Sequence, residues 1–534
     1  MPKIYHLAFR TLIWLGRDER YTSRHLPASI GLNRSTQREL EAANPHFSHT
    51  FRLLKQLADN EHLPDTQESI LDVSGLLLIV EFGWFERMWV VQETMLSRNA
   101  CIVIGNAILP WDVAFRAVSN FITHTTTCCR TTKAPQHRKQ YVAALAQCMA
   151  PISQVILSFH RVPPRTKNEL LANLWMFRNR MATLDHDKVY GILGLINDKK
   201  VTIDPDYAKS FGNLCRSVVL EDIRVSGNLH SLRGARSVLG SLMIPSWATD
   251  WDTLEYWAED RIRILTDLYK QLYTASGTLP ARITSDVGLP PRSKALGVAG
   301  RLVDHVVYAT PVLRIAPSSA HCSDCLDHPR KLWRSLQRQC GDRAYVTGGS
   351  VFSAFWRTLL GDCILPQREY QDVFYNHHPP KPFEPLIRRT RSSDIFAFLL
   401  WGLSRQLLSP DSDHTSLLIA KSRLLDPPNA IASMNISAMI DVDVSVARAT
   451  SGRCLFLTSK GYIGLGPALT QAGDEVAILL GGTTPFMVRP GPASLATDDR
   501  AVYEILGDCY LHGCMDGELV KDQETDDWSM IVLV

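Results

Sequence analysis

Trp84-Phe85-Glu86-Arg87-Met88-Trp89-Val90-Val91-Gln92-Glu93, followed by Ala100-Cys101-Ile102-Val103-Ile104, is the stretch on which the fold turns. A helix beginning near Phe85 sets Trp89, Gln92 and Leu96 on one stripe. The apolar run at 100–104 ends at Gly105-Asn106, a turn signal, and reads as a strand. Upstream, Thr11-Leu12-Ile13-Trp14-Leu15 is a compact apolar run closed by Gly16, which predicts a strand buried on both faces. Ile4, Leu7 and Ala8 before it fall at helical spacing. Residues 17–64 are polar and irregular, and a helix is predicted over 66–82 with Ile70, Val73, Leu77 and Val80 on one face. Strand, helix, helix, strand is the order of part of a parallel α/β unit.

Beyond Trp111 the patterns are mainly helical to about Leu232, interrupted by Pro163-Pro164 and by loops around Asp204-Pro205. Clustered prolines near 280–291 and 377–385 predict linkers. The last ninety or so residues change character. Short apolar runs at 454–457, 462–465, 476–480 and 486–488 are separated by Lys460-Gly461, Gly473-Asp474 and Gly481-Gly482, which predicts a small antiparallel sheet or barrel. Leu296 to Val303 is expected to join it from a distance.

The chain has 534 residues, 57 basic and 54 acidic, for a net charge of +3. Near-balance predicts no nucleic-acid partner, which would need a clustered basic face. The dense basic stretch Arg388, Arg389, Arg391 reads as a solvated loop. No apolar run reaches the roughly 18 residues a membrane span requires, and the start lacks a signal peptide's regions. A cytoplasmic protein is expected, with its 12 cysteines reduced and mostly in the core.

The 84–93 stretch resembles the third signature block of the fungal heterokaryon-incompatibility (HET) domain, Trp-Phe-x-Arg-x-Trp-x-x-Gln-Glu, at every specified position: Trp84, Phe85, Arg87, Trp89, Gln92 and Glu93. Ala182-Thr183-Leu184-Asp185-His186-Asp187-Lys188-Val189-Tyr190-Gly191 is similar to a second family stretch, departing from it at 184–186. Ile244-Pro245-Ser246-Trp247 through Trp251 resembles Pro-Ser-Trp-x-x-Asp-Trp. Lys460-Gly461-Tyr462-Ile463-Gly464 and His512-Gly513-Cys514-Met515-Asp516-Gly517-Glu518 match C-terminal hallmarks. Two earlier family blocks, Tyr-x-Ala-Leu-Ser-Tyr-x-Trp-Gly and Leu-Trp-Ile-Asp-x-x-Cys-Ile-Asn-Gln, do not occur. The expectation is a chain that starts partway through the HET domain.

The resemblance implies a distant likeness to TIR domains, some of which cleave NAD at its nicotinamide glycosidic bond and carry Trp-x-x-x-Glu on the helix after the third strand. Trp89 and Glu93 would then share a helix face and one pocket. Glu93 would stabilise an oxocarbenium-like ribose or activate water, and Trp89 would supply a flat wall. The plainer reading makes Trp84, Phe85 and Trp89 core anchors and leaves Glu93 paired or solvated. Without the walls of the two earlier strands a substrate would not be positioned, and positioning supplies much of the rate. No catalysis is therefore expected from this chain, no cofactor, and NAD only as a substrate under the enzymic alternative.

Other constellations are weaker. His321, Cys322 and Cys325, with His328 and Cys340 nearby, hold zinc-ligand types, but the second pair is untidy and an unliganded loop is predicted, with no metal assigned. Gly297-x-x-Gly300 and Gly461-x-x-Gly464-x-Gly466 lack the Lys-Ser/Thr of a phosphate loop and read as tight strand packing. Asp516-Gly517-Glu518 reads as a turn, and Asp185 and Asp187 as residues opening a helix.

The fold predicted is an α/β remnant of a TIR-like parallel sheet, then a mainly helical region, then a small C-terminal antiparallel β domain, α+β overall. Its expected divisions are a partial HET domain at 1–110, a helical HET-associated region at 111–290, mixed α/β with proline-rich linkers at 291–445, and a β-rich domain at 446–534. The function implied is nonself recognition that triggers or regulates cell death, through other proteins of the incompatibility system and possible self-association. The alternatives are a TIR-like NAD glycohydrolase, should the missing blocks be encoded, and a degenerate regulatory or scaffolding protein.

Overall fold

The computed structural model describes residues 2–16, 47–63, 83–129, 169–196, 199–234, 244–252, 272–285, 294–315, 326–340, 343–365, 387–408, 428–491, 501–520 and 528–534, with the single positions 76, 79, 142, 145, 149, 156 and 287. It is mixed α+β. The chain divides into two units, the first built within Met1–Pro163 and Met176–Asn197, the second within Pro164–Trp175, Asp198–Glu369 and Pro385–Val534.

In the first unit α1 (Pro2–Leu7) leads into β1 (Thr11–Gly16). A helix α2 (Phe47–Ala58) buries Phe47, Phe51, Leu54 and Leu57 along one stripe, the spacing of an amphipathic helix. A single 3-10 turn (Gly83–Glu86) precedes α3 (Val90–Met95). Then β2 (Ala100–Ile104) and β3 (Ala107–Pro110) form a hairpin around Gly105, whose φ of 54° suits glycine. Pro110 begins the long α4 (Trp111–Thr127), and α5 (Asp187–Leu193) follows later in the chain. β1 pairs with β2 in parallel, Thr11 opposite Ala100 through Trp14 opposite Val103. The strands predicted on either side of the motif thus pair as expected.

One expectation for this sheet is corrected. β1 is not buried on both faces: Ile13 and Leu15 are buried, whereas Leu12 and Trp14 are 61% and 55% exposed. A run apolar at both parities does not say which face is covered, and here the alternation of the pleat separates the two sets. The helix predicted over 66–82 lies outside the described residues except Leu76 and Ile79, both helical and buried. The proline cluster at 377–385 and the His321–Cys325 loop also lie outside them.

The second unit contains α6 (Phe211–Ser226), β4 (Ile283–Thr284), β5 (Leu296–Ala309), α7 (Asp327–Cys340), α8 (Val351–Leu359), β6 (Cys363–Ile364), β7 (Arg388–Arg389), α9 (Ile395–Ser404) and α10 (Pro428–Thr450). Strands β8 (Arg453–Thr458), β9 (Ile463–Pro467), β10 (Glu475–Leu479), β11 (Phe486–Pro490), β12 (Val502–Asp508), β13 (Tyr510–Leu511) and β14 (Ser529–Leu533) complete it. α6 has standard ends: the Ser210 side chain accepts from the Asn213 amide, and Gly227 closes it at φ 71°.

The strands β10, β11, β12, β14 and β5 follow one another, and β10 also pairs with β5, so they close into a ring. Within it the pairings are antiparallel except that of β12 with β14. Closure removes exposed sheet edges. β5 runs on past the ring to pair with β8, which carries β9 and β13. Gly300 sits where β5 passes between two neighbours: a Cβ there would lie 2.5 Å from Leu479 Cδ2 and 2.9 Å from Ile531 Cδ1. The predicted tight packing at Gly297-x-x-Gly300 is what the strands require.

Candidate functional site

Trp84 to Glu93 does not form one continuous helix. The 3-10 turn ends at Glu86, Arg87 and Met88 run alongside Met181, and α3 starts only at Val90. Backbone bonds hold the crossing: the Met181 amide donates to Glu86 O at 2.5 Å, and the Met88 amide to Met181 O at 2.8 Å. This small bridge draws the second family stretch, residues 182–191, against the first.

The side chains then interlock. Trp89 donates through Nε1 to Asp187 Oδ2 at 2.9 Å. Gln92, buried, donates through Nε2 to the carbonyls of Tyr190 and Gly191 at 3.3 and 2.9 Å. Those are carbonyls of the last turns of α5, where a helix runs short of backbone donors. Lys188, also buried, donates through Nζ to the carbonyls of Arg178 and Arg180. Gly191 completes the fit, since a Cβ there would come within 2.5 Å of Met88 Cγ. Asp187 is the first residue of α5, as its sequence position suggested, and it also anchors the indole.

Glu93 is half-buried and its carboxylate is held on both oxygens. Trp84 donates through Nε1 to Oε2 at 3.1 Å, and Tyr5 through its hydroxyl to Oε1 at 3.4 Å. Burial and the neighbouring carboxylate push the Tyr5 hydroxyl above its ordinary pKa. Trp84 also packs edge-on against Phe85 and Trp111, at ring-centre distances of 5.1 and 6.4 Å. Trp89 and Glu93 thus make their polar contacts with different partners, Asp187 for one and Trp84 with Tyr5 for the other. Arg87 is exposed.

The remaining family stretches brace the second unit. Ser246 donates its amide to Val534 O at 3.0 Å and accepts the Ile505 amide at 3.0 Å, tying the chain end to β12. Trp247 is buried and donates to Lys294 O at 3.0 Å, and Trp251 packs on Trp175. In the 512–518 hallmark, Gly513 and Gly517 turn the chain at φ 81° and 78°, and burial lowers His512 to about 4. Asp516 takes a two-pronged contact from Arg389, at 2.8 and 3.0 Å.

That contact corrects the reading of the basic stretch as a solvated loop. Arg388 pairs with Asp394 at 2.7 and 2.8 Å, while Arg389 grips both Asp362 and Asp516 and lies over the Tyr273 ring. Both residues form β7, paired to β6. A cavity of about 30 Å³, lined by Tyr273, Arg448, Arg453, Asp508 and Tyr510 among others, has room for one water.

Comparison with known proteins agrees with this geometry. Residues 434–531 match the Het-6 beta-barrel domain family, the region that holds β10, β11, β12 and the start of β14. The chain is similar to heterokaryon incompatibility protein 6, OR allele, of Neurospora crassa, 22% identical over 577 aligned positions, covering 99% of this chain and 80% of that protein. Both comparisons point to fungal heterokaryon-incompatibility proteins as what this chain is similar to. No solved structure matches it.

No signal in the sequence pointed to the partners that these residues take in the structure. Tyr5 as a ligand of Glu93 had no signal, being 88 positions away. A second constellation was missed altogether: His62, His124, Cys128 and Cys129 present ligand atoms within 4.8 Å of one another. The Cys-Cys pair and the four-residue step from His124 to Cys128 were the available signal. His62 joins them only through the packing of α2 on α4.

Proposed function

We propose that this chain is a nonself-recognition factor of the fungal HET family, acting in the cytosol through association with other proteins to trigger or regulate cell death. The observation that carries it is the interlock of the two family stretches. Trp89 and Gln92 bond to α5, Glu93 accepts from Trp84 and from Tyr5 of α1, and Lys188 ties α5 to the carbonyls of Arg178 and Arg180. A carboxylate that accepts from Trp84 and Tyr5 supports the reading of Glu93 as a strut between the motif and α1. The similarity to heterokaryon incompatibility protein 6 of Neurospora crassa supports the same reading.

A TIR-like NAD glycohydrolase is the second reading. The parallel pairing of β1 with β2, with the Trp89–Glu93 segment between them in the chain, favours it. Expression of the full chain and its Glu93→Gln variant in a fungal host separates the two. The glutamine keeps an acceptor for Trp84, so growth arrest is expected to be equal for both at matched protein levels, with no NAD loss. Arrest and NAD consumption that both vanish in the variant would replace association by catalysis.

A further inference from the structure

We propose that His62, His124, Cys128 and Cys129 bind one zinc ion, in a closed structural site that clamps the end of α2 to the end of α4. The four come from two short pieces of chain. Asn60, at φ 64°, ends α2 in the left-handed conformation that asparagine tolerates, and the chain leaves the helix with His62 next to buried Leu63. On α4, Asn120, His124 and Cys128 are spaced by four and lie on one face. Asn120 already reaches across, donating to the carbonyls of Leu57 and Ala58 at 2.9 and 3.2 Å. One turn further on, His124 and Cys128 meet His62.

Four of the five sulfur–sulfur and sulfur–nitrogen distances are close to the edges of a coordination tetrahedron, and the fifth is shorter. A zinc ion held by sulfur at about 2.3 Å and nitrogen at about 2.0–2.1 Å implies edges of roughly 3.8 Å between sulfurs and roughly 3.6 Å between sulfur and nitrogen. Cys128 Sγ and Cys129 Sγ are 3.8 Å apart. His62 Nδ1 lies 3.6 Å from Cys128 Sγ and 3.5 Å from Cys129 Sγ. His124 Nδ1 lies 3.1 and 3.7 Å from the same two sulfurs. Both imidazoles aim the same nitrogen inward. For His124 the hydrogen bonds to described residues fall at Nδ1, its buried Nε2 having no partner among them.

Two sulfurs and two nitrogens in a tetrahedron select zinc over magnesium or calcium, which take oxygen. With four protein ligands no position stays open for water or substrate, so the site is structural rather than catalytic. Binding exchanges the two thiol protons for two zinc–sulfur bonds and releases both protons to solvent, so affinity falls in acid. The competing chemistry is a disulfide between Cys128 and Cys129. It would need the sulfurs to close from 3.8 Å to about 2.05 Å.

The test uses untagged full-length protein purified without chelator. Elemental analysis should find one zinc per chain, lost in Cys128→Ser/Cys129→Ser and retained in Cys322→Ser/Cys325→Ser, which removes the other cysteine-rich stretch. Cobalt exchanged into the wild-type protein should show the tetrahedral visible band with thiolate charge transfer in the near ultraviolet, a signature that does not depend on any variant folding. His62→Ala, at an exposed position, should weaken binding in competition with a chromophoric chelator. The proposal is overturned by a chain without stoichiometric zinc or a cobalt spectrum, by metal that survives the Cys128/Cys129 double substitution, or by an intact mass showing those two cysteines disulfide-bonded.

Discussion

Glu221 and Asp222 stand side by side on α6, and their environments push them in opposite directions. Glu221 is held at about 2 by the Arg224 guanidinium, with the Thr202 amide and hydroxyl assisting, against the effect of burial. Asp222 is wholly buried, and desolvation raises it to about 7 although Ser231 donates to it. The signs for stability differ accordingly. The depressed Glu221 contributes stability above its ordinary carboxylate range, lost as pH falls toward about 2. The raised Asp222 keeps its proton in the folded state, so its cost grows as pH climbs from the ordinary aspartate range to about 7 and is complete above that. Asp222→Asn should therefore gain on the wild type across that window, by about 4 kcal/mol once the window is passed. Urea midpoints at acid and neutral pH measure it, and a difference that does not change with pH would contradict the assignment. None of this was legible: two adjacent acids look alike in a sequence. Arg388 and Arg389 teach the same point, because the Asp362 and Asp516 partners of Arg389 lie 27 and 127 residues away.

At the scale of elements, local pattern served well where a residue's neighbours are its sequence neighbours. The strands at 11–16 and 100–104, the turn at Gly105 and the C-terminal runs all stand where apolar spacing and glycine placed them. It failed where a third element decides, as at Leu12 and Trp14, and at the motif, where one predicted helix is a 3-10 turn, a bridge to Met181 and a short helix. The Trp-Phe-x-Arg-x-Trp-x-x-Gln-Glu pattern is physically a clasp for α5, and Gly191 is its tightest point. Gly191→Ala brings a methyl against Met88 Cγ, near the backbone end of a side chain that is itself buried. Overpacking of that kind costs about 1–3 kcal/mol. Gly83→Ala, where a Cβ meets nothing within 4 Å, serves as the control and should leave the melting temperature close to wild type. Equal melting of the two variants would mean that the α3–α5 contact does not limit stability.

On the scale of the whole molecule, the family match and the closed ring do not have the same limits. The match covers residues 434–531, yet the ring needs β5, which starts at Leu296. β5 pairs with β14 at Leu296 to Gly300, with β10 at Gly300 to His305 and with β8 at Val306 to Ala309. Removing it would bare the edges of three strands and the buried side of Val476, Ile478 and Ile531. Val303 and Val306, which pack in the same core cluster as Phe456 and Met487, would go with it. A fragment that also lacks residues 233–234 would take from buried Asp508 the Gly234 amide, which donates at 3.0 Å, and the nearby Arg233. A buried carboxylate that loses part of its hydrogen-bonding shell is destabilised, and exposed edges pair with other chains. A fragment of residues 434–534 should accordingly lack a cooperative melting transition and aggregate. A fragment of residues 198–534, which restores β5, Arg233 and Gly234, should melt cooperatively as a soluble monomer. Circular dichroism melts and size-exclusion profiles of the two decide the matter, and a short fragment that folds alone would show that the ring closes without β5.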